Sequence, residues 1–244
     1  MRAVLNLMRR EIAAYFATPV AYVFIVIFLV MTGVFTFYLG NFYERGIADL
    51  KPFFRFHPWL YLFLVPAISM RLWAEERKSG TIELLLTLPL TLWQVVLAKF
   101  LAAWLFLGLA LSLTTPTWLT VNYLGAPDNG AIAAAYFGSW LMAGGFLAIG
   151  SCMSALTRNQ VVAFILSVVA CFAFMLSGLP MIMNLFSGWA PQVILDGIAG
   201  LSFLSHFADI SRGVIDLRDL VYFALVITFW LASNIIVLQI KKAD

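Results

Sequence analysis

The chain has 244 residues, of which 63% are hydrophobic and only 11% charged, with a formal net charge of +3 and a mean hydropathy of +0.97. Soluble domains are about half apolar and a quarter charged, so this composition excludes a water-soluble globule and makes lipid the natural solvent. Cys152 and Cys171 lie apart inside apolar runs, away from metal-ligand spacing, and read as small apolar side chains.

Residues 2–16 carry Arg2, Arg9 and Arg10 beside Leu5, Leu7, Met8, Ile12 and Phe16, which predicts an amphipathic helix lying on the membrane surface. This basic start precedes an apolar run from Val20 to Leu39 that is of bilayer length, too long for a signal-peptide core. Residues 20–40 are therefore expected to form an uncleaved first span. Residues 54–72 make a rougher second span, with Arg55, His57 and Arg71 near its ends and Pro58 and Pro66 inside. Long basic side chains can snorkel from helix ends, and a re-entrant segment is the alternative.

Residues 93–116 predict the third span, apolar character continuing to 124 with Pro116 as a kink or exit. The run 125–130 is a dense turn signal. Residues 131–156 form the fourth span, in which Gly144, Gly145, Ala148, Gly150 and Ser154 allow close helix approach. A polar turn at 157–160 leads to a fifth span over 161–183. Trp189, Pro191, Asp196, Gly197 and Gly200 then break up residues 185–218, which suits a pair of interfacial or re-entrant short helices. Residues 220–238 form the sixth span, closed by Lys241 and Lys242. The expectation is an all-α, polytopic membrane protein with six transmembrane helices, built as one domain over 1–244.

Six crossings place both termini on one side. Arg2, Arg9, Arg10, Arg71, Arg77, Lys78, Lys99, Arg158, Lys241 and Lys242 fall there, ten of the fifteen Lys and Arg. Arg45, Lys51, Arg55, Arg212 and Arg218 fall opposite. The positive-inside rule then predicts cytoplasmic termini.

Catalytic chemistry is poorly represented. No Asp, Glu, Lys or Arg sits in the middle of a clear span, which counts against an ion-coupled carrier. The sequence contains no HExxH, GxSxG or GxxxxGK[ST] pattern, so it carries no nucleotide-phosphate cradle of its own. His206 and Asp209 share a helix face and read as a solvated pair. The tryptophans read as interface anchors or bundle packing.

The most informative segment is 73–89, between the second and third spans. Gly80 is suited to cap the start of a helix, with Glu83 at its third position and in the first turn, where the helix dipole favours an acid. Pro89 stops that helix by disfavouring helical geometry at Leu88. The segment thus predicts a helix of about two turns at the membrane face, although an ordinary solvated connector has the same composition.

The stretch Glu75-Glu76-Arg77-Lys78-Ser79-Gly80-Thr81-Ile82-Glu83-Leu84-Leu85-Leu86-Thr87-Leu88-Pro89 resembles the E-x-x-x-G-T-x-E-x-L-x-x-x-P signature of ABC-2 transporter permeases. The stretch from Leu204 to Asp219 resembles the gliding-motility-associated, GldF-like branch. The resemblance implies an ABC-2, type V exporter-like fold that dimerises with a second permease copy or paralogue and binds cytoplasmic ABC ATPase subunits. ATP and Mg would be held by those subunits, and this chain would hold no cofactor or metal and would not itself be an enzyme. The resemblance makes Glu75, Glu76, Gly80, Thr81, Glu83 and Pro89 the ATPase-coupling residues. It places the protein in a bacterial inner membrane, beside a possible membrane partner with a large extracytoplasmic domain and without nucleic acid. The rival readings are a nucleotide-independent carrier or channel, and a membrane scaffold.

Overall fold

The computed structural model describes residues 2–83, 90–186 and 191–242. Among them every regular element is helical. The surface helix α1 (Arg2–Ala17) leads through Thr18 into α2 (Pro19–Val34), which Pro19 opens at a position where no backbone N–H is needed. A π-helical turn, Phe35–Leu39, extends it. Next come α3 (Lys51–Ser69) and α4 (Arg71–Ser79), separated only by Met70. A helical segment resumes at residues 81–83.

A capping box between Thr91 and Gln94 starts α5 (Leu92–Ser112), which α6 (Thr115–Leu124) continues. The Asp128 side chain accepts from the N–H groups of Gly130 and Ala131 and so starts α7 (Asn129–Leu156). The Asn159 side chain does the same for α8 (Gln160–Leu176). Three short helices follow: α9 (Pro180–Phe186), α10 (Gln192–Ala199) and α11 (Phe203–Ser211). The long α12 (Leu217–Lys242) ends the described chain.

Among the described residues four stretches are long and apolar enough to cross a bilayer: Pro19–Leu39, Leu92–Leu124, Asn129–Leu156 and Leu217–Lys241. The bent pair α10–α11 gives at most a fifth. Among the described residues, length and apolar character alone thus give four or five spans against the six expected. The helix α3 is long enough but carries Lys51, Arg55, His57 and internal prolines, while α8 has only 17 residues. The third span also runs further than expected, to Leu124, and Pro116 falls at the start of α6 without ending it.

The helix α7 is the axis of the bundle, touching α3, α4, α5, α8, α11 and α12. Its small residues permit this, as expected. A Cβ on Gly150 would lie 2.0 Å from Ser69 Oγ, so α3 could not approach there past any larger side chain. Gly144 and Gly145 similarly face the rings of Trp104 and Phe203. Trp104 and Trp140 stack at 4.2 Å, and each indole N–H donates to the other's carbonyl, at 2.9 and 3.2 Å. The tie satisfies two polar groups that lipid could not. By contrast α2 and the outer faces of α8 and α12 expose Val26, Val30, Val169, Leu225 and Phe229.

The broken segment between α8 and α12 has the expected character, with α10 and α11 meeting at 60°. Phe203, Phe207 and Ile210 anchor α11 to the bundle. His206, however, does not pair with Asp209. Its Nδ1 lies 2.6 Å from Asp219 Oδ1 at the start of α12, its Nε2 3.1 Å from the Gly200 carbonyl, and Tyr222 stacks on its ring at 3.9 Å. Asp209 lies near Arg212 instead. One helical step along α11 is a weaker constraint than the crossing of α12 over it. Trp189, one of the expected interruptions, lies outside the described residues.

Candidate functional site

The segment singled out in the sequence becomes an arm. Its root is α4, whose Leu72, Trp73 and Ala74 are buried, whereas Lys78, Ser79, Gly80, Thr81 and Glu83 are exposed. Two polar clusters, which share Trp73, grip that root.

The first lies at the interruption at Met70. Ser154 Oγ of α7 accepts from the N–H groups of Trp73 and Ala74 at 3.1 Å each, and donates to the Met70 carbonyl at 2.8 Å. One hydroxyl has one donor and two acceptor sites, and all three are used. Helix ends leave backbone groups without partners, and here a single serine from another helix supplies them. One turn earlier, Ser151 Oγ accepts from Trp73 Nε1 at 3.1 Å and from Asn234 Nδ2 of α12 at 2.7 Å. Arg77 donates to the Ala155 carbonyl at 2.6 Å. The arm is thus bonded to the end of α7 and, through Ser151, to α12.

The second cluster centres on Lys99, the eighth residue of α5 and only 2% exposed. Its Nζ lies 3.0 Å from Glu11 Oε1 of α1 and 2.5 Å from Glu76 Oε1 of α4. The ammonium also sits 5.6 Å from the centre of the Trp73 ring. Burying a cation is costly unless it is paired, and two carboxylates from separate helices pair it here. Stacking of Tyr15 on Phe106 at 5.2 Å fixes α1 against α5 beside this cluster.

Between α1, α2 and the α3–α4 junction these residues border a cleft of about 260 Å³, whose walls include Tyr15, Phe24, Ile68, Arg71, Glu75 and Phe106. Arg71 donates to Glu75 through Nε at 2.8 Å and Nη2 at 3.1 Å. That pair holds the Glu75 carboxyl below the usual carboxylate range. Burial pushes the Tyr15 phenol well above its ordinary value, and the nearby Glu11 charge adds to the effect.

The residues expected to couple to an ATPase therefore divide. Glu75 and Glu76 belong to the root, one engaged by Arg71 and the other by Lys99. Thr81 and Glu83 stand exposed at the tip, on backbone that is helical at 81–83. Gly80 stands between two helical segments, ending α4 as well as directly preceding the helical backbone at 81–83, in which Glu83 falls at the expected third position. With φ +74° it adopts the left-handed conformation that ends α4, which glycine tolerates because it lacks a Cβ. Ser79 reinforces this end by donating to the Glu75 carbonyl at 2.9 Å, and its hydroxyl meets that of Thr81 at 2.9 Å. Pro89 and the rest of the expected two-turn helix, residues 84–89, lie outside the described residues.

Sequence reasoning missed Glu11, Ser151 and Asn234 and counted Lys99 only as a basic residue. The available signal was Lys99 itself, a cation about two turns inside an apolar run, which requires an acid from elsewhere in the chain. The geometry is that of a membrane bundle with a braced arm emerging at one end, next to Arg9, Arg10 and Arg158 in sequence or space. A family model described as ABC-2 family transporter protein matches residues 6–237. The chain belongs to the ABC-2 transporter family. No curated protein matches it.

As an ABC-2 family member the chain is a multi-pass transmembrane permease. Permeases of this family are the membrane components of transporters and generally work with ATPase subunits, with the hydrolytic chemistry outside the permease.

Proposed function

We propose that this permease couples ATP hydrolysis on separate cytoplasmic ATPase subunits to export of a substrate, or to motion of a partner protein. The observation that carries this reading is the contrast within the arm. A root held by Ser154, Ser151 and Lys99 projects an exposed tip containing Thr81 and Glu83. Force applied at such a tip passes to α7 and α12 through the first cluster, and to α1 and α5 through the second. Glu75 and Glu76 act in this reading as positioning residues, Gly80 sets the turn, and Thr81 and Glu83, with Pro89 beyond them, form the docking surface. ATP and Mg belong to the partner.

In this reading α3 and α8 complete six crossings, their polar positions sheltered by α7, and both termini face the cytoplasm of a bacterial cell across its inner membrane. Charge placement supports that orientation. Lys99, Arg77 and the end of α7 cluster at one end of the bundle, while at the other Gly125 lies against Ala48 and Gly213 against Ala131. The whole chain then works as one domain, paired with a second permease copy or paralogue. The Leu204–Asp219 stretch further suggests the GldF-like branch, with a partner bearing a large extracytoplasmic domain.

The test is charge reversal at the tip. Glu83→Arg in the reconstituted complex is expected to lower permease-stimulated ATP hydrolysis at least tenfold, about the 1.4 kcal/mol of one interfacial contact, without changing the melting temperature of the permease. Unchanged hydrolysis in Glu83→Arg would remove the docking role from this tip.

A further inference from the structure

At the end of the bundle opposite the arm, His206 occupies a position that a neutral imidazole cannot fill. Its Nδ1 lies 2.6 Å from Asp219 Oδ1 and its Nε2 3.1 Å from the Gly200 carbonyl. Both neighbours are acceptors, and a neutral imidazole has a single N–H. The geometry therefore holds two protons, one on Nε2 and one between Nδ1 and the carboxylate. Asp219 is buried, and its Oδ2 has no hydrogen-bond partner, so the hydrogen-bonded countercharge of this carboxylate is the imidazolium. Tyr222 stacks on the ring at 3.9 Å, a face-on contact that favours the cation.

The ring grips a corner of the chain. His206 takes the carbonyl of Gly200, and the Tyr222 hydroxyl donates to the next one, that of Leu201, at 2.5 Å. These two bonds close the C-terminal end of α10, where the helix dipole also favours positive charge. The rest of α10 is held weakly. Among its described residues only Leu195 is buried, while Val193 and Ile194 are exposed. Immediately beyond the corner, Ser202 and Phe203 are buried, so α11 is fixed where α10 is not.

Asp209 and Arg212 on α11, Asp216, and Arg218 and Asp219 at the start of α12 line the same cavity as His206. Asp209 and Arg212 lie 3.8 Å apart, Asp216 accepts from the Arg218 backbone N–H, and Asp196 of α10 is engaged by Gln192. The helices α3, α7 and α8 also pack against α11, and among the described residues they bring no charged side chain to this cavity. Of these groups, His206 is the one that bonds both α12 and the corner.

We propose that His206 is a proton-operated latch, clamping the α10–α11 corner to α12 when doubly protonated and freeing α10 to swing when one proton is lost. The neutral ring keeps its remaining N–H toward the Asp219 carboxylate, the stronger acceptor, and turns a lone pair toward the Gly200 carbonyl. The His206 side chain is 19% exposed, so the lost proton passes to solvent. The helix α10 moves as a body, its internal hydrogen bonds intact. In the orientation proposed above, this end faces away from the cytoplasm and the latch reads the pH outside. Its operation does not depend on an ATPase docking at the arm.

The experiment uses the full chain in nanodiscs, spin-labelled through Val193→Cys on α10 and Leu225→Cys on α12, both exposed positions, with the buried Cys152 and Cys171 left in place. The distance between labels is measured by double electron–electron resonance from about pH 5 to about pH 9, which brackets the range in which histidine changes charge. A narrow distribution at the acid end is expected to give way to a broader, shifted one, with the steepness of a single proton. His206→Gln keeps a donor but cannot titrate, and should abolish the response. An unchanging wild-type distribution, or the same response in His206→Gln, would overturn the proposal. If that variant fails to fold, nitrogen NMR of the unaltered protein labelled at histidine decides. The chain has two histidines, and one should carry both ring protons at the acid end and lose one in step with the distance. Two histidines of constant protonation across the range would overturn it equally.

Discussion

The two ends of this bundle solve the same problem with different chemistry. At the arm end, Lys99 joins Glu11 and Glu76, residues 88 and 23 positions away, and Ser154 bonds backbone more than 80 positions distant. At the opposite end, His206 joins Asp219 only 13 positions on, fastening α11 to the next helix in the chain. The arm end ties four separate parts of the fold into one body. At the other end the polar tie joins only neighbours in sequence, and apolar packing of Phe203, Phe207 and Ile210 holds α11 to the rest of the bundle. An element that passes force to several helices needs the first kind of junction, while a segment that only has to be tucked back needs the second.

The sharpest way to break the comparison is Lys99→Met. It leaves Glu11 and Glu76 without their buried cation, and a loss of about 3 kcal/mol is expected in SDS-titrated unfolding from mixed micelles. Adding Glu11→Gln and Glu76→Gln to the same chain should return most of that loss, because the cost lies in unpaired charge. Failure of the triple variant to recover would mean that Lys99 contributes by packing on Trp73 instead.

Ser154→Ala comes next. It strands two N–H groups and one carbonyl at the Met70 interruption, at about 2 kcal/mol in the same assay. Hydrogen exchange should rise at Trp73 and Ala74 and stay level at Phe207. Equal exchange in wild type and variant would show that the α3–α4 junction needs no outside partner. At the other end, Asp219→Asn weakens the contact with His206 at about 1 kcal/mol, and exchange should rise only in α11 and the first turn of α12. A response extending to α4 would erase the distinction between the two ends.

The smallest effect belongs to Arg71–Glu75. Hydrogen bonding from Arg71 lowers the carboxyl pKa of Glu75, so its contribution is fully present above the ordinary carboxylate pKa and is lost as pH falls through the lowered one. With the Glu75 side chain 47% exposed, solvent screening keeps the contribution small. Glu75→Gln should therefore flatten the acid limb of the melting profile slightly and leave the neutral region nearly unchanged.

Much of this was legible in the sequence for stated reasons. Bilayer-length apolar runs located the four clear spans, and Gly144, Gly145 and Gly150 marked the helix that others approach closely. The turn signal around Asp128 and the broken stretch before α12 fell where expected. The hidden parts depend on distance in the chain. Nothing local to Ser154 announces that it will complete the end of α4, and nothing local to His206 selects Asp219 over Asp209. Gly80 precedes the helical backbone at 81–83 as expected, while its second role, ending α4, shows only in its positive φ. The helices α3 and α8 fall short of a clear crossing because α3 carries Lys51, Arg55, His57 and internal prolines and α8 has only 17 residues.

The central claim is that a rigidly rooted arm presents residues 78–83 to a separate ATPase. The most direct measurement is affinity purification of the permease from mild detergent, with quantitative mass spectrometry of what accompanies it. The wild-type chain is compared with one whose residues 78–83 are replaced by a neutral Gly/Ser linker. The account predicts a stoichiometric ATPase subunit with the wild type, lost from the tip-replaced chain while its melting temperature is unchanged. An ATPase retained by the tip-replaced chain, or none recovered with the wild type under several gentle conditions, would contradict it.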